Sequence, residues 1–254
     1  MGTRHGLPDL AADEWKDAER LAAALNERFG HLPAREIVAV AVDLFREAGG
    51  IAAISSFGAD SAALLHIVAE ADPALPVAFL DTGQHFGETL DYRDQLAADM
   101  GLSNIVIVKP RDEVVAADDP DGVLHRSNTD RCCAIRKVEP MARAVAPYRA
   151  WFTGRKRNQA STRAAMPVFE AVGPRIRINP LARWTTHDQA AYMEKHALRQ
   201  NPLVAFGYLS IGCFPCTTPV QPGEDPRSGR WSGKAKTECG IHLGGLETVL
   251  SPSA

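Results

Sequence analysis

The sequence predicts an α/β fold built on a mainly parallel, Rossmann-like sheet. Three observations carry this expectation. Short apolar runs stand at residues 51–55, 76–80 and 104–108, and residues 149–153 and 175–178 read as two more strands. Stretches with helical spacing of apolar residues separate the first three. Small polar loops, rich in hydroxyls and glycine, follow the runs, as strand-to-helix turns of a parallel sheet do.

In chain order, residues 11–29 read as a helix through Leu21, Leu25 and Phe29. Pro33 opens a second helix at its first turn, running through Ile37, Val40, Val42 and Leu44 to a stop at Gly49-Gly50. Residues 51–55 form a continuous apolar run, the pattern of a strand buried on both faces. A helix follows through Ala62, Leu64, Leu65 and Ile67. Residues 76–80 make the second strand and Thr89 to Met100 the next helix. Residues 104–108, 149–153 and 175–178 supply three more strands. Ligands of such sheets bind beyond the carboxyl ends of the strands. The loops at 55–61, 81–89 and 154–163 are expected there. Residues 217–238 are rich in Gly, Ser, Pro and charge, and read as a mobile tail. The expected division is an N-terminal helical segment (1–30), a nucleotide-binding α/β domain (31–216) and a mobile catalytic tail (217–254).

The chain has 254 residues, 45% of them apolar, enough for one large domain. A formal charge of −3 announces no polyanion, so no nucleic-acid partner is expected. No stretch is apolar for long enough to span a bilayer, and the N-terminal residues lack the apolar core of a signal peptide. The expected setting is the cytoplasm, where five cysteines suggest metal binding or catalysis before disulfides.

The loop Ser55-Ser56-Phe57-Gly58-Ala59-Asp60-Ser61 is a strand-to-helix turn whose backbone N–H groups and hydroxyls suit an anion. An ordinary helix cap would look the same. The loop also resembles the modified phosphate loop of the adenine-nucleotide α-hydrolase superfamily. Leu80, Asp81 and Thr82 open a second polar loop, placed to hold a purine through backbone groups. In the third loop, Gly154 and Arg157 belong to a basic run at the ligand edge. Arginine there favours a clamp for phosphate or sulfate oxygens over a merely solvated face.

Cys132-Cys133 and Cys213-Phe214-Pro215-Cys216 form two tight pairs. Four thiolates complete a tetrahedral set, which structural zinc and iron–sulfur clusters both accept, and spacing does not choose between them. Cys239 stands apart in Glu238-Cys239-Gly240-Ile241-His242, with Lys234, Lys236 and His242 near enough in sequence to favour its thiolate.

The combination of Cys132-Cys133-x-x-Arg136-Lys137, Cys213-x-x-Cys216 and Glu238-Cys239-Gly240-x-His242 closely resembles assimilatory adenylyl-sulfate reductases, the bacterial, cluster-containing branch of the adenylyl- and phosphoadenylyl-sulfate reductase family. The likeness covers residues 35 to 246. It implies that Cys132, Cys133, Cys213 and Cys216 ligate one 4Fe–4S cluster and that Cys239 is the nucleophile. Lys137 would lie between cluster and substrate, and Arg227, Arg230 and His242 would face the phosphosulfate. The implied activity is reduction of adenosine 5′-phosphosulfate to sulfite and AMP through an S-sulfocysteine, with thioredoxin or glutaredoxin as reductant, in assimilatory sulfate reduction and cysteine biosynthesis. A homo-oligomer is allowed but not specified. Lys156 and Ala160 depart from the family pattern, where Arg and Ser are frequent, as does the single Trp231 before Ser232-Gly233. Rival readings are phosphoadenylyl-sulfate reduction, an ATP pyrophosphatase-type sulfurtransferase, and a metal-stapled nucleotide sensor with an idle Cys239.

Overall fold

The computed structural model describes residues 10–231, 236, 238 and 240–241, and the backbone of 242. The Asp17 side chain accepts from the backbone N–H groups of Glu19 and Arg20. This cap divides the helix expected over 11–29 into a 3₁₀ turn at Glu14–Lys16 and helix α1 at Ala18–Phe29. Helix α2 (Ala34–Arg46) begins one residue after Pro33, which sits at the cap itself rather than inside the first turn. Gly49 and Gly50 both take positive φ, 95° and 80°, and so turn the chain into strand β1 (Ile51–Ile54).

Helix α3 (Ser61–Ala71), strand β2 (Val77–Leu80), helix α4 (Gly87–Asp99) and strand β3 (Ile105–Val108) follow, close to the expected bounds. A run of short helices then covers ground where the sequence pattern was weak: α5 (Asp112–Asp118), α6 (Leu124–Ser127), α7 (Thr129–Cys133), a π-helical turn at Ala134–Val138, and α8 (Glu139–Val145). Strand β4 is Ala150–Phe152, β5 Phe169–Val172 and β6 Arg175–Ile178, followed by α9 (Thr186–Lys195).

The six strands lie in the order β3-β2-β1-β4-β6-β5, all parallel except the terminal β5–β6 hairpin. Within each strand the side chains alternate between two cores. Val77 and Phe79 of β2, with Ala150 and Phe152 of β4, enter the larger core with Leu21, Ile37, Phe45 and Leu65. Ala78, Leu80 and Trp151 turn to the opposite face, against Met141 and Val145 of α8. The sheet is therefore covered on both sides, as a parallel sheet must be.

From β1 the chain steps to β2 on one side, and β4 later joins β1 on the other. The β1–β4 junction is the topological switch point. The crevice beyond it is where the connecting loops diverge and a ligand fits. Residues 217–231 return to this edge through a bridge between Thr217 and Arg230. A side chain at Gly229 would collide with the carbonyl oxygen of Thr218, so only glycine permits that close approach. None of the described helices is long and apolar enough to cross a membrane.

Candidate active site

A cleft of about 1000 Å³ opens beyond the carboxyl ends of β1 and β4. Ser55, Ser56, Gly58 and Ser61 form one wall. The Ser55 hydroxyl accepts from the Phe57 N–H at 3.1 Å, and Phe57 takes a left-handed φ of 47° while its ring is buried. The Phe57 carbonyl in turn accepts from Asn201 Nδ2 at 3.1 Å, so the turn is held from both sides. Asp60 precedes α3 but its carboxylate does not cap the helix. It accepts instead from the buried Lys156 ammonium at 2.6 Å and from Gln159 at 3.2 Å.

Leu80, Thr82, Gly154 and Lys137 also line the cleft. Two residues expected at the ligand face are drawn elsewhere. Asp81 turns back to accept from the Gly83 N–H at 3.0 Å. Arg157 donates to the Met166 carbonyl at 2.8 Å, because the 3₁₀ turn Arg157–Gln159 points its side chain along the loop rather than across the cleft. The cations that do reach the cleft from this region are Arg155, Lys156, Arg163 and Arg177. With Lys137, Arg227 and Arg230 they make seven cationic side chains against four carboxylates among the described residues, a lining that selects anions.

These cations are held by buried partners. Glu170 of β5 accepts from Arg177 at 2.6 and 2.9 Å and from Arg155 at 2.9 Å. Burial works to raise the Glu170 carboxyl, but the hydrogen bonds from Arg177 and the two guanidinium charges outweigh it and hold it low. Arg155 is pushed down to about 10, first by burial and then by Arg177 beside it. Burial likewise lowers Arg227. Arg155 Nε and the indole N–H of Trp151 are buried without a hydrogen-bond partner among the described residues. Both residues line the cleft, and such donors ordinarily find an acceptor.

The cysteine pairs meet behind one wall of this cleft. Cys132 and Cys133 end α7, which Asn128 caps by accepting from the Arg131 N–H. Cys213 is buried with its sulfur 3.3 Å from the Thr82 hydroxyl, and Cys216 packs with Cys133, Trp231 and Ile241. Among the described residues no disulfide joins Cys132, Cys133, Cys213 or Cys216. The Cys132 thiol is pushed up to about 11, first by burial and then by the approach of Cys213, with Cys216 adding to it. Thiols that would repel one another as thiolates suit a bound cationic metal group, which removes that penalty. No three His, Cys, Asp or Glu side chains among the described residues are gathered around one point for a single ion. Lys137 follows this cysteine helix by one turn and extends into the cleft, so the thiol cluster and the anion site share a wall.

Cys239 and the side chain of His242 lie outside the described residues. Their neighbour Glu238 is buried in the cleft, on Arg163.

A mainly parallel α/β sheet with a cation-lined crevice at its switch point and clustered thiols behind it defines an anion-binding α/β protein. Residues 50–219 match the phosphoadenosine phosphosulfate reductase domain family. An adenosine 5′-phosphosulfate reductase from Chelativorans sp. is 71% identical over 92% of this chain and 96% of its own length. One from Mesorhizobium japonicum is 68% identical over 92% of this chain and 91% of its own. The crystal structure of phosphoadenylyl-sulfate reductase from Candida auris, in a phosphate complex, superposes with a TM-score of 0.67 at 28% identity, covering 84% of this chain and all of that one. The chain belongs to the adenylyl- and phosphoadenylyl-sulfate reductase family.

Proposed function

We propose that this protein reduces adenosine 5′-phosphosulfate to sulfite and AMP with a dithiol protein, thioredoxin or glutaredoxin, as electron donor, in assimilatory sulfate reduction. The observation that carries the reading is the cation-lined cleft sharing a wall, through Lys137, with the two cysteine pairs. The high identity to relatives named for this substrate supports the choice of nucleotide.

In the first step the Cys239 thiolate attacks the sulfate sulfur. A sulfur–sulfur bond forms, the sulfur–oxygen bond to phosphate breaks, and AMP leaves with the bonding pair. A thiolate of the reductant then attacks the Cys239 sulfur and releases sulfite as a mixed disulfide forms. The second reductant thiol resolves that disulfide, so two electrons pass from dithiol to sulfonate. Both steps bring anion against anion. Lys137, Arg227, Arg230 and His242 are assigned to the sulfate and phosphate oxygens, where fixed cations stabilise the charge that gathers as bonds change. Ser55, Ser56, Gly58 and Ser61 present backbone and hydroxyl groups to the nucleotide, joined by Leu80, Thr82 and Gly154. Asp81 and Arg157 are given no direct contact, since each is committed to a backbone partner.

Cys132, Cys133, Cys213 and Cys216 would hold a 4Fe–4S cluster. When bound it would join the two cysteine segments, its cationic core offsetting part of the charge of the four thiolates. The dithiol accounts for both electrons without it.

The test is turnover of the full-length protein on adenosine 5′-phosphosulfate and on its 3′-phosphorylated analogue, with thioredoxin. Sulfite from the first in large excess is expected. Preference for the second would replace the reading with phosphoadenylyl-sulfate reduction, and a requirement for ATP with pyrophosphate release would replace it with a ligase-type reaction.

A further inference from the structure

The arginines that line the cleft use their guanidinium edges differently. The Nε and Nη2 groups form one edge, whose parallel N–H bonds match two oxygens of a carboxylate, phosphate or sulfate. Arg163 spends that edge on Glu238, both bonds at 2.8 Å, and Arg177 spends it on Glu170 at 2.9 and 2.6 Å. Arg155 reaches Glu170 through Nη1 alone, at 2.9 Å. Its Nε is buried with no partner, and its Nη2 makes no hydrogen bond among the described residues. Glu170 cannot take this edge as well. It already accepts four N–H groups, one from Arg155, two from Arg177 and one from Asn179, as many as a carboxylate has lone pairs for. Two guanidiniums therefore share one carboxylate, whereas Arg163 and Lys156 are matched by Glu238 and Asp60. The surplus positive charge lies in the cleft wall, on an Arg155 side chain that is 8% exposed.

The register of the sheet fixes which side of the cleft this is. Arg177 lies beside Trp151 across β4–β6 and beside Glu170 across β5–β6, so the three share one face. Trp151, whose indole N–H is likewise without a partner among the described residues, packs there against Met141 of α8. Lys137 stands four residues before Met141, on the unbroken helical run that also carries Cys132 and Cys133. Arg155 thus reaches, through Glu170, the face that bears the thiols. The Ser55–Ser61 turn leads instead into α3, which packs on the opposite face.

We infer that the Nε/Nη2 edge of Arg155 binds two oxygens of the nucleotide's terminal sulfonate, while the nucleoside end rests on the serine turn. The inference rests on the reading of the cleft as a site for adenosine 5′-phosphosulfate, and adds a binding residue to those assigned above. Removing Arg155 leaves Glu170 its fork from Arg177 and its bond from Asn179, so no charge is stranded and the fold should survive.

The test compares the full-length protein with its R155L and R155K variants. Isothermal titration calorimetry measures the binding of AMP and of ADP, whose terminal phosphate stands where the substrate carries its sulfonate, and thermal unfolding follows the fold. R155L is expected to weaken ADP about 10–100-fold while AMP moves by less than about twofold. R155K keeps the charge without the fork and is expected to fall between. Folded R155L that binds ADP as the parent does overturns the inference. So does an equal loss for AMP and ADP, which would place Arg155 at the phosphate next to the ribose, and so does a parent that binds AMP but not ADP. If R155L does not fold, the ratio of ADP to AMP affinity in R155K decides in the same way. A parent protein that makes no sulfite from adenosine 5′-phosphosulfate would overturn the functional reading instead, and the ADP comparison still decides whether Arg155 holds a terminal oxyanion.

Discussion

Arg136 and Thr82 join the two cysteine pairs. The Arg136 guanidinium, three residues beyond Cys133, donates to the Thr82 carbonyl oxygen at 2.7 Å, and the hydroxyl of the same threonine lies 3.3 Å from Cys213 Sγ. The other face of the guanidinium grips Asp119 at 2.8 and 3.0 Å, and that carboxylate's side chain is 1% exposed. Replacing Arg136 with Ala strands the Asp119 charge in the interior. We expect a loss of about 3–5 kcal/mol of stability, read from denaturant unfolding, together with loss of whatever metal the thiols hold. A change below about 1 kcal/mol would show that the pair is not the joint described here.

Lys137 lies one residue on and faces the cleft. Lys137→Gln should lower kcat/KM for adenosine 5′-phosphosulfate by about 10²–10³ while circular dichroism and AMP binding stay near the parent's. An equal loss in AMP affinity would place its effect in ground-state binding, not in the sulfur-transfer step.

The Glu170 network bears on stability. Glu170→Gln leaves Arg155 and Arg177 facing one another without their shared carboxylate. A cost of about 3 kcal/mol follows, which for a chain of this size lowers Tm by about 6–12 °C. Differential scanning calorimetry measures it.

His85 sets a pH dependence. Burial lowers its pKa against a partly compensating hydrogen bond to the Leu80 carbonyl, and burial lowers His66 as well. The unfolded chain then binds protons more readily than the folded one. The stability from these groups is fully present above the unfolded histidine value, about 6.5, and is lost as pH falls through it toward the folded values. Tm should drop between about pH 7.5 and 5.5, and His85→Gln should flatten the drop. A Tm that rises over that interval would contradict the sign.

The parts of the fold visible in the sequence are those where one force dominates. Strands β1, β2 and β4 are buried and carry near-continuous apolar runs, whereas the edge strand β3 is apolar but half exposed and β6 alternates Arg with Ile; the loops after β1, β2 and β4 fall at the carboxyl edge as parallel topology requires. Strand β5 was not legible: Phe169-Glu170-Ala171-Val172 carries a carboxylate whose partners, Arg155 and Arg177, come from two other segments. The short helices over 112–145 are rich in charge and end in a π-helical turn, which no simple periodicity marks. In the basic loop, composition announced an anion clamp but not which arginine forms it. Two 3₁₀ turns rotate Arg163 inward and Arg157 outward. Glu238 stands in the sequence only as the residue before Cys239, because a sequence does not show that Arg163, 75 positions earlier, pairs with it.

The reading stands most directly on the sulfur of Cys239. The full-length protein, mixed with adenosine 5′-phosphosulfate and no reductant, should be weighed intact and then mapped by peptide mass spectrometry. One sulfonate group per chain on Cys239, with one AMP released for each and sulfite appearing only when thioredoxin is added, is the expected result. A chain that releases sulfite without ever carrying the adduct, or carries it on Cys132, Cys133, Cys213 or Cys216 instead, would contradict it.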